Sequence, residues 1–242
     1  MQDLESGMAY TYIGSELELF EKAIHWKQYY ASFLQPYLQG DVLEVGAGIG
    51  GTTVALCNGA QSSWTCLEPD STLAQHIDEK IVSGVLPSIC TVHNGLLSNL
   101  PRSYRCNTAI YIDVLEHIED DRAQLEETAR YLLPNGYVIV LAPAYQWLYS
   151  PFDKAIGHYR RYTRASLLAL APSSFHCVSA FYLDSVGLCT SIANKLFLKQ
   201  DQPTPKQIEF WDSVMIPIAR VVDRLLRYNL GRSVIVIWQY KP

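Results

Sequence analysis

Asp41-Val42-Leu43-Glu44-Val45-Gly46-Ala47-Gly48-Ile49-Gly50-Gly51 is the stretch whose reading decides the fold. Val42, Leu43 and Val45 make a short apolar run of the kind that forms a buried strand. A glycine-rich turn follows, and Thr52-Thr53-Val54-Ala55-Leu56 reads as the start of a helix. Glycine lets the backbone turn sharply and approach a ligand with no Cβ in the way. The first amide groups of a helix carry partial positive charge and face the same ligand. Strand, turn and helix together predict a nucleotide-type cofactor site at the carboxyl end of the first strand of an α/β sheet.

Two cofactor classes fit the turn itself. Gly46, Gly48 and Gly51 match G-x-G-x-x-G, and Glu68 stands at the spacing of a ribose-binding acid, so an NAD(P)-linked oxidoreductase is one reading. Glu44 weighs against it. A carboxylate at the strand end is costly to bury without a partner; it suits a cationic ligand and not a pyrophosphate. S-adenosylmethionine carries an ammonium and a sulfonium and no phosphate. Val42 to Gly50 resembles motif I of the class I S-adenosylmethionine-dependent methyltransferases. That resemblance implies a Rossmann-like α/β sheet of seven strands with helices on both faces and an antiparallel last pair. It also implies S-adenosylmethionine as methyl donor, S-adenosylhomocysteine as product, and cofactor contacts from Glu44, Gly46, Ala47, Gly48 and Gly50.

Further segments extend the resemblance to residues 41–143. Ser63 to Glu68 reads as strand 2, and in the family pattern its terminal acid, followed by Pro69, accepts hydrogen bonds from both ribose hydroxyls. Asp70 is placed to cap a helix over about 70–82. Ile89 to His93 reads as strand 3, and Asn94, Gly95 and Leu96 stand where relatives hold the adenine; a plain Asn-Gly turn is the alternative. Strand 4 runs from Thr108 to Asp113. Asp113-Val114-Leu115-Glu116-His117-Ile118 resembles the segment that lines the methionine end of the cofactor in a large subgroup of the family. Asp113 and Val114 are therefore expected at the cofactor, and His117 as a pocket wall or second candidate base. Asp120 and Asp121 begin a helix to about 132, and Leu133 to Pro143 makes a turn and strand 5.

The loop after strand 5 is rich in aromatic residues. Gly157-His158-Tyr159-Arg160-Arg161-Tyr162 puts one titratable ring, two cations and two phenols in one short segment. It resembles a Gly-His-x-Arg-Arg-Tyr stretch in bacterial methyltransferases of saccharide and secondary-metabolite pathways. An alcohol or phenol acceptor must lose its proton as the new bond forms, and a neutral imidazole is suited to take it near pH 7. His158 is thus the first candidate base. Tyr159, Arg160, Arg161 and Tyr162 are candidate acceptor contacts, with Arg suited to a carboxylate or phosphate. Near Asp113 no second acid or amide follows the pattern of catechol methyltransferases, so no metal is expected.

Composition narrows the function classes. The chain has 242 residues, a net charge of −5 and no long basic run, and a pI near 5.7; this argues against nucleic acid as partner. The six cysteines show no C-x-x-C, which suggests buried free thiols and a cytoplasmic, reducing setting. No signal peptide and no membrane span is expected.

The ends complete the layout of a single domain over 1–242: a helical cover over 1–40, a core over 41–183, an insert over 184–232 and a last strand over 233–242. In the cover, Ser15 and Glu18 form a candidate capping box for one helix running to about Leu34. Tyr10, Tyr12, His25 and Trp26 are candidate pocket residues; packing is the competing role, favoured for Trp26. Phe175 to Leu183 and Ser233 to Tyr240 read as strands 6 and 7. Between them, 185–199 and 207–228 read as helices, with Ile208, Trp211, Met215, Ile218, Val222 and Leu225 on one face and a kink at Pro217. The insert is read first as a lid or pocket wall and second as a homodimer surface. The function expected is methyl transfer to a hydroxyl, ahead of an amine, of a small or medium-sized acceptor. A regulator that binds S-adenosylmethionine without turnover is the non-enzymatic alternative.

Overall fold

A computed structural model describes residue 12 and residues 16–198 and 203–242. The expected capping residue Ser15 and Tyr10 lie outside the described residues. Seven strands form one sheet: β1 (Asp41–Val45), β2 (Ser63–Glu68), β3 (Cys90–Asn94), β4 (Cys106–Ile112), β5 (Leu132–Pro143), β6 (Phe175–Leu183) and β7 (Ser233–Tyr240). Their order is β3-β2-β1-β4-β5-β7-β6. The first five run parallel, and β7 pairs antiparallel with both β5 and β6. This is the class I methyltransferase architecture that the sequence predicts. Val42, Leu43, Ala109, Ile110, Val138 to Leu141 and Val234 to Ile237 are buried, as strands covered on both faces must be. Strand order reverses between β1 and β4, and the crevice at that switch point opens at their carboxyl ends.

The helices are α1 (Glu16–Glu21), α2 (Ile24–Leu34), α3 (Gly51–Leu56), α4 (Ser71–Val82), α5 (Asp121–Thr128), α6 (Pro151–Ala155), α7 (Arg164–Leu168), α8 (Ser185–Ala193), α9 (Pro205–Phe210) and α10 (Ile216–Leu225). Asp70 caps α4 as expected, accepting from the amides of Thr72 and Leu73. The single N-terminal helix expected to Leu34 is instead two. The break has a tertiary cause: α2 has no side-chain cap of its own, and Asp212 of the insert accepts from the amides of His25 (3.1 Å) and Trp26 (2.8 Å).

A second acid docks the insert in the same way. Asp223 accepts from the amides of Asp184 and Ser185 at 2.7 and 2.9 Å, starting α8, and from the Tyr29 hydroxyl at 3.0 Å. The insert is therefore clamped onto the N-terminal cover. Its buried face differs from the expected one. A π-helical turn over Trp211–Met215 precedes Pro217, and a wide turn shifts all later positions around the axis. Ile216, Ala219 and Asp223 are buried, whereas Ile218 and Leu225 are exposed. Cys57, Cys66, Cys90 and Cys106 are buried free thiols, but Cys177, on the edge strand β6, and Cys189 are exposed.

Candidate active site

The turn after β1 is held open by backbone geometry. Gly46 and Gly48 have φ of +69° and +56°, a region costly for residues with a Cβ. A Cβ at Gly46 would stand 2.8 Å from both methyl carbons of Val114. Gly46, Ala47, Gly48 and Gly51 line a cavity of about 960 Å³. Gly50, expected at the cofactor, is not among its walls; it sits left-handed at the start of α3, and its Cβ position faces Ile77.

The two strand-end acids have different surroundings. Glu44 is buried, and its Oε2 accepts from Thr53 Oγ1 (2.7 Å) and Trp64 Nε1 (2.8 Å). Burial raises it to about 7 despite those hydrogen bonds. Glu44 thus meets partners inside the fold, and neither it nor Glu68 is among the cavity walls. Glu68 Oε2 accepts from the Gly48 amide at 2.8 Å, and Oε1 accepts from the Asp70 amide at 3.0 Å. Both oxygens are fixed, and each keeps a second lone pair. Burial raises Glu68 to about 7 as well, against those amide hydrogen bonds. Asn94 lies beside it in register. Its Nδ2 donates to the carbonyls of Glu68 (2.8 Å) and Pro69 (3.2 Å), which leaves its side-chain carbonyl oxygen as an acceptor. The Gly95 amide also donates to the Glu68 carbonyl, and Leu96 follows.

At the carboxyl end of β4 a polar cluster meets the same cavity. Asp113, at φ +53°, Glu116, His117, Asp153, His158 and Arg161 all line it. Asp153 is fully buried. It accepts from His158 Nδ1 at 2.9 Å, from Arg161 Nε and Nη2 at 2.8 and 2.9 Å, and from Ser150. Burial alone would raise its acid, but the hydrogen bonds from His158 and Arg161 hold it below the carboxylate range. An ionised carboxylate only accepts, so the Nδ1 of His158 carries a proton and its Nε2 is the other face of the ring. That Nε2 is 3.8 Å from Glu116 Oε1. The His117 and His158 rings meet edge to face with centroids 4.5 Å apart.

Glu116 is the least compensated group in the cluster. It is 0% exposed, and neither carboxylate oxygen has a hydrogen-bond partner. Burial first and the Asp113 charge second push it well above the carboxylate range. Burial likewise lifts Asp113 to about 6 against the pull of His158, Arg232 and Arg161. Burial, with His158 beside it, lowers His117 to about 3, so His117 is a neutral imidazole at any ordinary pH.

Among the residues expected to meet the acceptor, Tyr12, Trp26 and Arg161 line the cavity. Trp26 does so while packed against Tyr30 and Trp211 at 5.5 and 5.9 Å. The other three point elsewhere. Arg160 pairs with Asp121 at 2.7 Å and donates to the Glu119 carbonyl. The Tyr162 hydroxyl donates to Asp121 at 2.8 Å and lies 3.2 Å from the Leu115 carbonyl. Tyr159 is 51% exposed. These residues anchor the loop to α5, and the Tyr159 amide donates to the Glu116 carbonyl. Glu116 and Asp153 went unread in the sequence; the one local sign was an acid immediately before His117.

A family model described as "Methyltransferase domain" matches residues 18–184. The chain belongs to that family. No curated protein matches the methyltransferase in sequence. Its fold is similar to that of a putative methyltransferase from Haloferax volcanii solved with the Trm112 activator: TM-score 0.61, 16% identity, 90% of this chain and 91% of that one covered. It is also similar to the N-methyltransferase NodS from Bradyrhizobium japonicum solved with S-adenosyl-L-homocysteine: TM-score 0.58, 11% identity, 92% and 88% covered. The [4+2]-cyclase SpnF shares the fold too, at TM-score 0.60 and 14% identity, with 88% and 80% covered.

The methyltransferase is S-adenosylmethionine-dependent, and the residues present fit that cofactor. Gly46 and Gly48, both at positive φ, bring bare backbone to the cavity wall. The Glu68 carboxylate is held by two amides with lone pairs to spare for vicinal hydroxyls. The polar cluster stands across the crevice at the carboxyl end of β4.

Proposed function

We propose that this methyltransferase transfers a methyl group to a hydroxyl of a small or medium-sized acceptor, a saccharide or a secondary metabolite, in the cytoplasm. The observation that carries the reading is the Asp153–His158 hydrogen bond. It turns the Nε2 lone pair of a cavity-lining imidazole away from Asp153 and toward Glu116. Hydroxyl methylation needs a group at that position; methylation of an already neutral amine does not. Phe20, Trp26, Tyr149 and Phe152 give the cavity aromatic walls, which suit a flat or ring-shaped acceptor. Four buried free thiols accord with a reducing compartment.

When bound, S-adenosylmethionine supplies a methyl group on a sulfonium, open to in-line attack. The chain's own residues do the rest. Glu68 holds the ribose hydroxyls, Asn94, Gly95 and Leu96 border the adenine, and the Gly46–Gly48 turn and Asp113 border the methionine end. Arg161 and Ser150 fix Asp153, Asp153 fixes His158, and His158 receives the acceptor's proton. Holding acceptor and methyl close and aligned supplies much of the rate.

The test is methyl transfer from S-adenosylmethionine to a panel of sugars, phenols and amines, read by mass spectrometry. Hydroxyl products are expected, and His158→Ala is expected to lose turnover while keeping its calorimetric affinity for S-adenosylhomocysteine. Amine products alone, or wild-type turnover in the variant, would sink the reading.

A further inference from the structure

Glu116, His117 and His158 point to a second use of the cluster. Each offers one donor atom, and these atoms all lie within 4.8 Å of one another. We propose that they bind a divalent first-row transition metal ion at the acceptor end of the cavity. The role given to that ion below rests on the hydroxyl-acceptor reading; the site itself does not.

Three observations carry the proposal. A 0% exposed carboxylate with two partnerless oxygens is a costly arrangement, because a buried polar group without a partner is penalised. A cation between Glu116 and the two rings would give that carboxylate a partner. Next, His158 has the outer contact of a metal-ligating histidine: its Nδ1 donates to a carboxylate, and that carboxylate is held by Arg161. Such an outer acid fixes the ring and raises the basicity of its other nitrogen. Finally, two imidazoles and one carboxylate suit Zn²⁺, Mn²⁺, Fe²⁺ or Co²⁺; Mg²⁺ and Ca²⁺ prefer oxygen donors. Metal–ligand bonds of about 2.1 Å set donors about 3 to 4 Å apart, and the 3.8 Å between His158 Nε2 and Glu116 Oε1 already falls in that range.

Three protein donors leave coordination positions open, as in metal sites that bind a reactant. One such position receives the acceptor's hydroxyl oxygen. The ion stabilises the alkoxide or phenoxide, and the hydroxyl proton leaves to water. The oxygen's electron pair then forms the bond to the methyl carbon, the carbon–sulfur bond breaks, and its pair stays on sulfur, turning the sulfonium into a thioether. With the ion in place the His158 lone pair is a ligand; without it His158 is the free base.

Tag-free protein, stripped with EDTA, is titrated with Co²⁺ and Zn²⁺ by calorimetry and by the visible absorption of Co²⁺. One ion per chain is expected, with affinity falling tenfold or more in each of Glu116→Gln, His117→Ala and His158→Ala. Asp153→Asn is expected to weaken it roughly 10- to 100-fold through the ring it orients. S-adenosylhomocysteine titration of the same variants verifies that they fold. No ion bound, or unchanged affinity in Glu116→Gln, overturns the proposal. Full hydroxyl methylation by stripped protein in EDTA overturns the ion's role and leaves the hydroxyl reading intact. One ion bound and lost in the variants, with no hydroxyl acceptor methylated, supports the site and removes the reading.

Discussion

Asp153 and His158 meet twice: the Asp153 carboxylate accepts from His158 Nδ1 at 2.9 Å, and the Asp153 carbonyl accepts from the His158 amide at 2.8 Å. Ring and backbone are thus held by one residue, whose carboxylate is locked by both arms of Arg161. Asp153→Asn presents a neutral amide to the ring and breaks the Arg161 pair. Turnover is expected to fall on the order of a hundredfold or more, the scale of an acid–base contribution. Affinity for S-adenosylhomocysteine should stay within about twofold, since Asp153 orients the acceptor side. Arg161→Lys keeps the charge but not the fork, so its turnover should lie between. Equal loss of cofactor binding and turnover would mean that Asp153 only supports the fold.

Gly46 and Val114 decide whether the cofactor turn can form. A side chain at Gly46 would meet both Val114 methyl carbons at 2.8 Å and would sit at φ +69°. Gly46→Ala therefore has a steric fault and a backbone fault. The backbone fault alone costs about 1 kcal/mol. Calorimetry should show S-adenosylmethionine affinity lowered at least tenfold. Adding Val114→Ala removes the steric fault only, so partial recovery is expected; full recovery would show that the positive φ is not needed.

The parts legible in the sequence are those set by local pattern. The glycine turn follows from strand periodicity and backbone freedom, and the Asp70 cap from its place before a helix. Strands β6 and β7 fall at Phe175–Leu183 and Ser233–Tyr240, as their apolar runs predict. Long-range features were hidden. Nothing local marks Asp212 as the cap of α2 or Glu116 as a fully buried acid, because both depend on segments brought together by folding. Arg160 and Arg161 show the limit within one dipeptide. Tyr162 bridges Ala144 as a strand does, and successive side chains of a strand point to opposite sides. One arginine therefore reaches Asp153 and the other Asp121, and composition cannot say which.

Asp212 joins the insert to the cover through two α2 amides and through His25 Nδ1, at 3.0 Å. Asp212→Ala removes a helix cap, which costs about 1 to 2 kcal/mol. For a chain of this size that corresponds to a fall in melting temperature of roughly 2 to 8 °C. Because the insert and α2 both wall the cavity, the KM for the acceptor should rise with the cofactor affinity nearly unchanged. An unchanged melting temperature would show that the cap adds nothing to docking.

Glu44 gives a pH dependence whose sign is fixed by its surroundings. Burial lifts its acid from the model-compound value of 4.5 to about 7, against hydrogen bonds from Thr53 and Trp64. Between those two values the folded chain holds a proton that the unfolded chain has released. Stability therefore falls as pH rises through this window, and above it the ionised carboxylate costs the fold about 3 kcal/mol. Glu68 slopes the same way, so the Glu44 contribution is isolated in the difference between wild type and Glu44→Gln. A glutamine carbonyl keeps the acceptor for Thr53 and Trp64 and has no proton to lose. Urea unfolding at pH 5 and pH 8 should show the variant gaining stability on the wild type as pH rises. A difference that does not change with pH would mean that Glu44 stays ionised in the folded protein, drawn down by a cation such as Lys27.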